Sequence, residues 1–156
     1  MADETESLEQ SLGDYKGKVS PVNKLTLELD KDLIFTARTQ RGYEIDFDAK
    51  VEWGCMPTES LLASVAGCLA IDIVSFLRKM RAEISDFRME VTGERNPVPP
   101  QYYKAVDLMI RIRGRGITEN KMERAINLSK EKYCSVYHTL RPDLRHEVRY
   151  EIISED

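Results

Sequence analysis

The chain has 156 residues, 42% of them hydrophobic and 32% charged, and a net charge of −4. This length suits one soluble domain that needs no disulfide bonds to fold, and the acidic balance argues against nucleic acid or a membrane surface as the main partner. The cysteine count is odd, at three, and the N-terminus lacks the basic and apolar segments of a signal peptide. We therefore expect a cytoplasmic, reducing location.

The first 20 residues are acidic and poor in apolar side chains. We expect residues 1–20 to form a flexible acidic tail and residues 21–156 to form a single domain. Three short runs with alternating apolar residues follow, and alternation of this kind predicts half-buried strands in an antiparallel meander. The apolar faces are Leu25, Leu27 and Leu29, then Leu33, Phe35 and Ala37, then Tyr43, Ile45 and Phe47.

A long apolar helix is predicted from Pro57 to about Ala82, since proline suits the first helical position. Its first half is apolar on nearly every side, which is typical of a helix inside a protein or between subunits. In a chain this small, we expect a second copy to cover it, so we predict a homodimer. The segment 61–77 is slightly short for a bilayer and is interrupted by Ser64, Asp72 and Ser75.

Two strands, a helix and a last strand complete the prediction. The strands alternate at Phe87, Met89 and Val91, and at Val106, Leu108, Ile110 and Ile112. The helix is capped by Thr118, and its inner stripe is Met122, Ala125, Ile126 and Ser129. The last strand carries Leu144, His146, Val148, Tyr150 and Ile152 on one face. The order βββ-α-ββ-α-β indicates an α+β domain.

The cysteines differ in their surroundings. Cys68 lies within the apolar helix, where a free cysteine is ordinarily a small core residue. Cys134 lies in a polar stretch at the end of the second helix, and a new turn starting there would offer N–H groups that favour a thiolate. Cys55 lies in a loop, and we expect no role for it. The sequence contains no metal-binding cysteine or histidine spacing, so we expect neither a metal nor a cofactor.

Two segments together resemble a known family. "MPTESLLASVAGCLAIDIVSFLRK" resembles the central helix of the OsmC/Ohr family, the osmotically inducible protein C and organic hydroperoxide resistance proteins. "AINLSKEKYCSVYHTL" resembles the second cysteine segment of that family, and the order of elements is also similar. The resemblance covers about residues 25–153 and implies an intertwined homodimer around a long buried central helix.

The resemblance implies thiol-dependent reduction of organic hydroperoxides in oxidative-stress defence. Cys68 is then the peroxidatic cysteine, which becomes a sulfenic acid, and Cys134 is the resolving cysteine, which closes a disulfide with it. A dithiol or a lipoyl group on a protein would reduce that disulfide. An apolar helix lining the site favours bulky apolar hydroperoxides.

The family also places an arginine beside the reactive thiol and holds it with a glutamate near the start of the central helix. Arg38 is the best match for the cation, with Arg41 next. The position of the glutamate corresponds to Thr58, and Glu59 follows one residue later, which rotates the side chain by about 100° around the helix. We expect Glu59 to take the role. This departure keeps an alternative open, a non-catalytic dimer that binds an apolar ligand at its interface and whose cysteines sense redox state.

Overall fold

Strands and helices follow one another in the order that the sequence predicts. A computed structural model describes residues 21–155, so the predicted acidic tail lies outside the described residues. The elements are β1 (Leu25–Lys31), β2 (Ile34–Thr39), β3 (Glu44–Asp48), α1 (Pro57–Lys79), β4 (Glu83–Arg95), β5 (Tyr103–Arg115), α2 (Glu119–Leu128), α3 (Ser135–Thr139) and β6 (Arg145–Ser154). A π-helical turn, Ser129–Tyr133, joins α2 to α3. The α+β class is as predicted. The chain divides into two compact units, one ending at Leu61 and the other beginning at Leu62.

The first unit contains the predicted antiparallel meander, with β2 between β1 and β3. The expectation of three half-buried strands is wrong for β1, which is exposed at every position, and for most of the third predicted face, where Tyr43 and Ile45 are exposed by 74% and 44%. Its apolar face is open, with Leu25, Leu27 and Leu29 exposed by 65%, 54% and 61%. Alternation reports that a face is apolar, but it does not say whether the same chain covers that face.

The loop after β3 is organised by one buried carboxylate. Asp48 is 3% exposed and accepts the backbone N–H groups of Lys50, Glu52 and Trp53 at 2.9–3.1 Å. These hydrogen bonds, that from Lys50 first, lower the pKa of Asp48. They also hold Val51 at a φ of 58°, a left-handed conformation that a β-branched residue rarely adopts.

Replacing Asp48 by alanine should loosen this loop, because three N–H groups lose their acceptor. We expect faster tryptic cleavage after Lys50 and faster amide exchange over residues 50–53, with Asp46→Ala as the control. Acid should act in the same direction on the native chain. The lowered pKa makes a contribution that is complete above the unfolded aspartate pKa of about 3.9 and is lost as the pH falls through the folded value. Exchange that does not respond to Asp48→Ala would contradict this account.

The second unit is built around β5, which pairs antiparallel with β4 and parallel with β6. The parallel pair requires a crossover connection, which α2, the π-helical turn and α3 supply. The predicted core face of β5 is confirmed, since Val106, Leu108, Ile110 and Ile112 are at most 2% exposed. The predicted alternation of β6 is also observed.

Helix α1 contributes one buried face to the same core. Its buried residues are Val65, Leu69, Asp72, Ile73, Phe76 and Leu77. The helix ends at Lys79, three residues before the predicted end, because Arg81 adopts a left-handed φ of 61° and the Ala82 N–H bonds the Leu77 carbonyl. Among the described residues, α1 is the one helix long and apolar enough to cross a membrane, and its buried face belongs to the core cluster.

Helix α2 begins and packs as predicted. Thr118 is its N-cap and accepts the Lys121 N–H, so one of the unpaired donors of the first turn is satisfied. The predicted inner stripe, Met122, Ala125, Ile126 and Ser129, is buried throughout. The stripe therefore fixes the rotation of α2 on the core and leads directly to the segment that carries Cys134.

Candidate active site

The π-helical turn after α2 sets the position of Cys134. The Cys134 N–H bonds the Ser129 carbonyl at 2.8 Å, five residues back instead of four. A turn of this kind contains one residue more than an α-helical turn, and such turns are often found at functional sites. The Cys134 side chain then caps α3, where its Sγ accepts the Tyr137 N–H at 3.3 Å.

The structure brings the two predicted thiols together. Cys68 on α1 is partly exposed, whereas Cys134 is completely buried, and the Cys68 thiol lies close enough to raise the pKa of Cys134. Both cysteines are free thiols. The sequence could not show this contact, because the two residues lie far apart along the chain. Two adjacent thiols of unequal exposure form a site that can close and open a disulfide.

The environment of Cys134 keeps it protonated. Burial chiefly, then the hydrogen bond with Cys68, raise the pKa of Cys134 to about 12, although the Tyr137 N–H acts in the opposite direction. The expectation that a new turn would make Cys134 a thiolate is therefore wrong. The polar sequence around it also suggested exposure, but the side chain points into the core, and desolvation exceeds the effect of one N–H donor.

The difference in exposure between Cys68 and Cys134 should appear in alkylation of the native protein. At pH 8, a thiol with a pKa of about 12 is ionised in only about one molecule in 10⁴. We expect iodoacetamide to label Cys68 and Cys55, which are partly exposed, and to leave Cys134 unlabelled until urea is added. Mass spectrometry of tryptic peptides measures this directly. Labelling of Cys134 in the native state at the rate of Cys68 would contradict the burial of the Cys134 side chain.

A buried carboxylate lies at the same site. Asp72 follows Cys68 by one helical turn, is 1% exposed, and accepts a hydrogen bond from the Ser129 hydroxyl at 2.8 Å. Its negative charge is a further cause of the raised pKa of Cys134. In the sequence, Asp72 is noticeable only as a polar interruption of an apolar helix. Its spacing of four from Cys68 was the available signal, since residues i and i+4 share a helix face.

Two further side chains flank Cys134. The Tyr137 hydroxyl is hydrogen-bonded to the His146 imidazole, and the two rings meet edge to face with centroids 4.7 Å apart. Burial, then the charge of Lys130, lower the pKa of His146, so the imidazole is neutral at pH 7. Burial, then Cys134, raise the pKa of Tyr137. The two rings that flank Cys134 on this side are therefore both uncharged at pH 7.

The other two predicted site residues lie in the first unit. Arg38 is exposed and forms an ion pair with Glu44 across β2 and β3, with its Nε 2.8 Å from the carboxylate. Glu59 accepts the Met56 N–H at 2.8 Å and so caps the start of α1. Arg41 is exposed at the turn between β2 and β3. Cys55 donates weakly to the Asp46 carbonyl at 3.7 Å.

Residues 21–155 contain no cluster of metal-binding side chains. No three of their histidine, cysteine, aspartate and glutamate side chains are grouped so that they could hold an ion. The buried side-chain nitrogen and oxygen atoms of this range all have hydrogen-bond partners. What the site offers is thus two thiols, a carboxylate, a hydroxyl and a tyrosine–histidine pair.

Two features together define the class of protein. One is the pair of thiols, with the first on a long central helix and the second in the segment after the second helix. The other is the order of elements in this α+β fold. The OsmC-like protein family matches residues 48–149, and the chain belongs to this family. The match includes both Cys68 and Cys134.

Individual relatives agree with this assignment. Protein YhfA of Escherichia coli K12 is 32% identical over 123 residues, which cover 78% of this chain and 92% of YhfA. The crystal structure of a hypothetical protein from Aquifex aeolicus VF5 has a TM-score of 0.79 at 30% identity and covers 88% of this chain and 100% of that one. The organic hydroperoxide resistance protein OhrB of Bacillus subtilis shares the fold, with a TM-score of 0.57 at 14% identity over 83% of this chain and 98% of OhrB.

Proposed function

We propose that the protein reduces organic hydroperoxides with its two thiols. The observation that supports this most directly is the contact between a partly exposed Cys68 and a buried, protonated Cys134. OhrB of Bacillus subtilis, an organic hydroperoxide resistance protein, shares the fold. A nucleophile must meet its substrate, whereas a resolving thiol must stay unreactive until an intermediate forms, and the two environments suit these different roles.

The reaction balances with these two sulfurs. The Cys68 thiolate attacks the O–O bond, takes one oxygen to become a sulfenic acid, and the alkoxide leaves as the alcohol after protonation. Cys134 then condenses with the sulfenic acid, a disulfide forms and water is released. A dithiol, either a small molecule or a lipoyl group on a protein, reduces the disulfide and restores both thiols.

The apolar packing around Cys68 supports a preference for bulky apolar hydroperoxides. Cys68 packs against the core cluster, whose members include Val65 and Leu69. On its other side the surface is open, because a Cβ placed on Gly67 would meet no atom within 4 Å. An apolar alkyl group can therefore approach Cys68 past Gly67, which has no side chain in the way.

We assign the activating cation to Arg38, with Arg41 as the next choice, and the group that holds it to Glu59. The family resemblance, and not the geometry, supports this assignment. It is tested by Arg38→Met, which should lower the rate of Cys68 oxidation at pH 7, with Arg41→Met as the matched control. An unchanged rate in Arg38→Met would remove Arg38 from the mechanism.

We also propose that the working form is a homodimer in the reducing cytoplasm. Two open apolar surfaces support the dimer, namely the β1 face and a groove of about 760 Å³ along α1 lined by Ala70, Ile71, Val74, Ser75, Arg78 and Lys79. Sedimentation should give twice the chain mass of 18.0 kDa. Leu27→Lys should weaken the dimer, and a monomer in the unaltered protein would contradict the proposal.

Reaction with cumene hydroperoxide tests the function. The reduced protein is mixed with a slight excess of the hydroperoxide, and free thiols and intact mass are followed by acid quenching. We expect loss of two thiols per chain within seconds and formation of a Cys68–Cys134 disulfide. Oxidation no faster than that of free dithiothreitol would instead favour the alternative, a dimer that binds an apolar ligand.

A further inference from the structure

The short helix α3 sets the position of the Cys134 sulfur. The Cys134 Sγ accepts the Tyr137 N–H at 3.3 Å, and the Cys134 carbonyl accepts the His138 N–H at 3.1 Å. The side chain and the backbone of Cys134 are therefore both bonded to α3. Because the sulfur is the N-cap of this helix, a movement of α3 against the core also moves the sulfur relative to Cys68.

Helix α3 is too short to be stable by itself. It has five residues, none of which is buried, and isolated helices shorter than about 12 residues are marginal in water. Contacts with the rest of the second unit must therefore hold it in place. Val136 and Tyr137 supply apolar contacts with the core cluster, and Tyr137 adds a polar contact.

The polar contact joins α3 to strand β6. The Tyr137 hydroxyl is hydrogen-bonded to the imidazole of His146, and the two rings meet edge to face at 80°. His146 is paired with Val106 of β5, which is 2% exposed, so the imidazole is carried by a strand that is fixed to the core. A continuous series of contacts thus leads from β6, through the Tyr137 side chain and its N–H, to the Cys134 sulfur.

An imidazole differs from the other side chains on its face of β6. The partly buried residues that continue this face are Val148, Tyr150 and Ile152. An apolar side chain could also pack on the Tyr137 ring, but a neutral histidine keeps one ring nitrogen unprotonated and so adds a hydrogen-bond acceptor. Burial, then the charge of Lys130, lower the pKa of His146, and burial raises the pKa of Tyr137. Acceptor and donor are therefore both in the required state at pH 7.

We propose that His146 is a positioning residue for the resolving thiol and acts through Tyr137, a role that rests on the proposed function of the dithiol. Closure requires the Cys134 sulfur to attack the Cys68 sulfur and to end at an S–S distance of about 2 Å. Steps of this kind depend steeply on how the two atoms are held, and misplacement by about 1 Å can cost about 10²-fold in rate. The hydrogen bond between Tyr137 and His146 keeps the sulfur where the disulfide can close.

The test separates the reaction of Cys68 from closure by Cys134 and uses no hydroperoxide. Reduced full-length protein carrying Cys55→Ser is mixed with excess dithiobis(nitrobenzoate), an aromatic disulfide. The Cys68 thiolate displaces one nitrothiobenzoate and forms a mixed disulfide. The Cys134 sulfur then attacks the Cys68 sulfur, gives its proton to the solvent and expels the second nitrothiobenzoate, so the protein dithiol is oxidised as the reagent is reduced. The absorbance of the released anion shows two phases, of which only the first depends on reagent concentration.

Two substitutions remove the hydrogen bond from opposite ends. Tyr137→Phe keeps the ring and the N–H that caps Cys134, and His146→Leu keeps most of the side-chain volume. We expect each to slow the second phase about tenfold, the upper range for one hydrogen bond, and to leave the first phase within about twofold. The double variant should be no slower than either single variant, because both substitutions remove the same contact.

Two further variants distinguish positioning from a general structural role. Tyr150→Phe is the matched control, because it removes another tyrosine hydroxyl of β6, which bonds the Glu123 carboxylate at 3.2 Å, and it should leave both phases unchanged. His146→Gln should restore most of the second phase that His146→Leu loses, since the amide oxygen of glutamine can accept the Tyr137 hydroxyl.

Three results would overturn the role of His146. The first is an unchanged second phase in either single variant. The second is an additive loss in the double variant, or no recovery in His146→Gln, which would assign the effect to packing of the rings. The third is equal slowing of both phases, which would mean damage to the whole fold. Should His146→Leu not fold, the comparison of Tyr137→Phe with Tyr150→Phe decides. A protein that reduces no hydroperoxide would still show both phases, so the two proposals fail separately.

Discussion

Replacement of Cys68 by serine should abolish hydroperoxide reduction, with a loss of at least about 10³-fold in kcat/KM, because an alcohol is not ionised at neutral pH and cannot replace the thiolate. Steady-state consumption of cumene hydroperoxide with a dithiol reductant measures it. Cys55→Ser is the matched control and should keep full activity, since Cys55 lies in the loop before α1 and bonds only weakly to the Asp46 carbonyl.

Cys134→Ser separates the two thiol roles. This variant should react once with the hydroperoxide and stop at a Cys68 sulfenic acid, which dimedone traps as a mass increment. Full turnover in Cys68→Ser, or an unreactive Cys68 in Cys134→Ser, would exchange or remove the proposed roles. The pair of variants therefore tests the assignment of each sulfur as well as the activity.

Phe76→Ala should lower the free energy of unfolding by about 3–5 kcal/mol, the usual cost of removing a fully buried aromatic ring. Phe76 is 0% exposed and lies in the core cluster, where its ring contacts Tyr133 of the π-helical turn with centroids 5.5 Å apart. Urea unfolding in the presence of a reductant measures the change. Val98→Ala, at a side chain 61% exposed in the proline-rich loop, should cost less than about 0.5 kcal/mol.

The same substitution should also slow disulfide closure in molecules that remain folded. Tyr133 is the residue before Cys134, and Phe76 is one turn beyond Asp72 on α1. Loss of the ring therefore removes a support of the segment that carries the resolving thiol. Equal stability of Phe76→Ala and the unaltered protein would contradict the core position of this side chain.

The sequence predicts most of the second unit because the apolar faces there are covered by the same chain. The alternation in β5 and the stripe from Met122 to Ser129 correspond to faces that the chain itself buries. The face of β1 is equally regular in sequence, yet it is open. Hydrophobic periodicity identifies the face to be covered, but a local pattern does not say which surface covers it.

The sequence predicts only part of the candidate site, and the reason differs from that for β1. Family resemblance pairs Cys68 with Cys134, but the contact itself depends on the π-helical turn, which no spacing reveals, because the period of α2 holds up to Ser129. Asp72 was overlooked since one aspartate in an apolar helix looks like an interruption. The protonated state of Cys134 follows from burial, and its polar neighbours in sequence gave the opposite indication.

The π-helical turn makes this part of the chain sensitive to length more than to composition. Deleting one residue between Ser129 and Tyr133 would leave four residues where the bond from the Cys134 N–H to the Ser129 carbonyl now spans five, so a narrower α-helical turn would replace the π-helical one. The change in the width and rise of the turn would disturb the packing of Cys134 beside Cys68, although both thiols would still be present. Insertions and deletions between Ser129 and Tyr133 should therefore be far rarer among functional variants than amino-acid exchanges. A library of single-codon deletions, scored for survival of peroxide treatment, would measure this difference in tolerance.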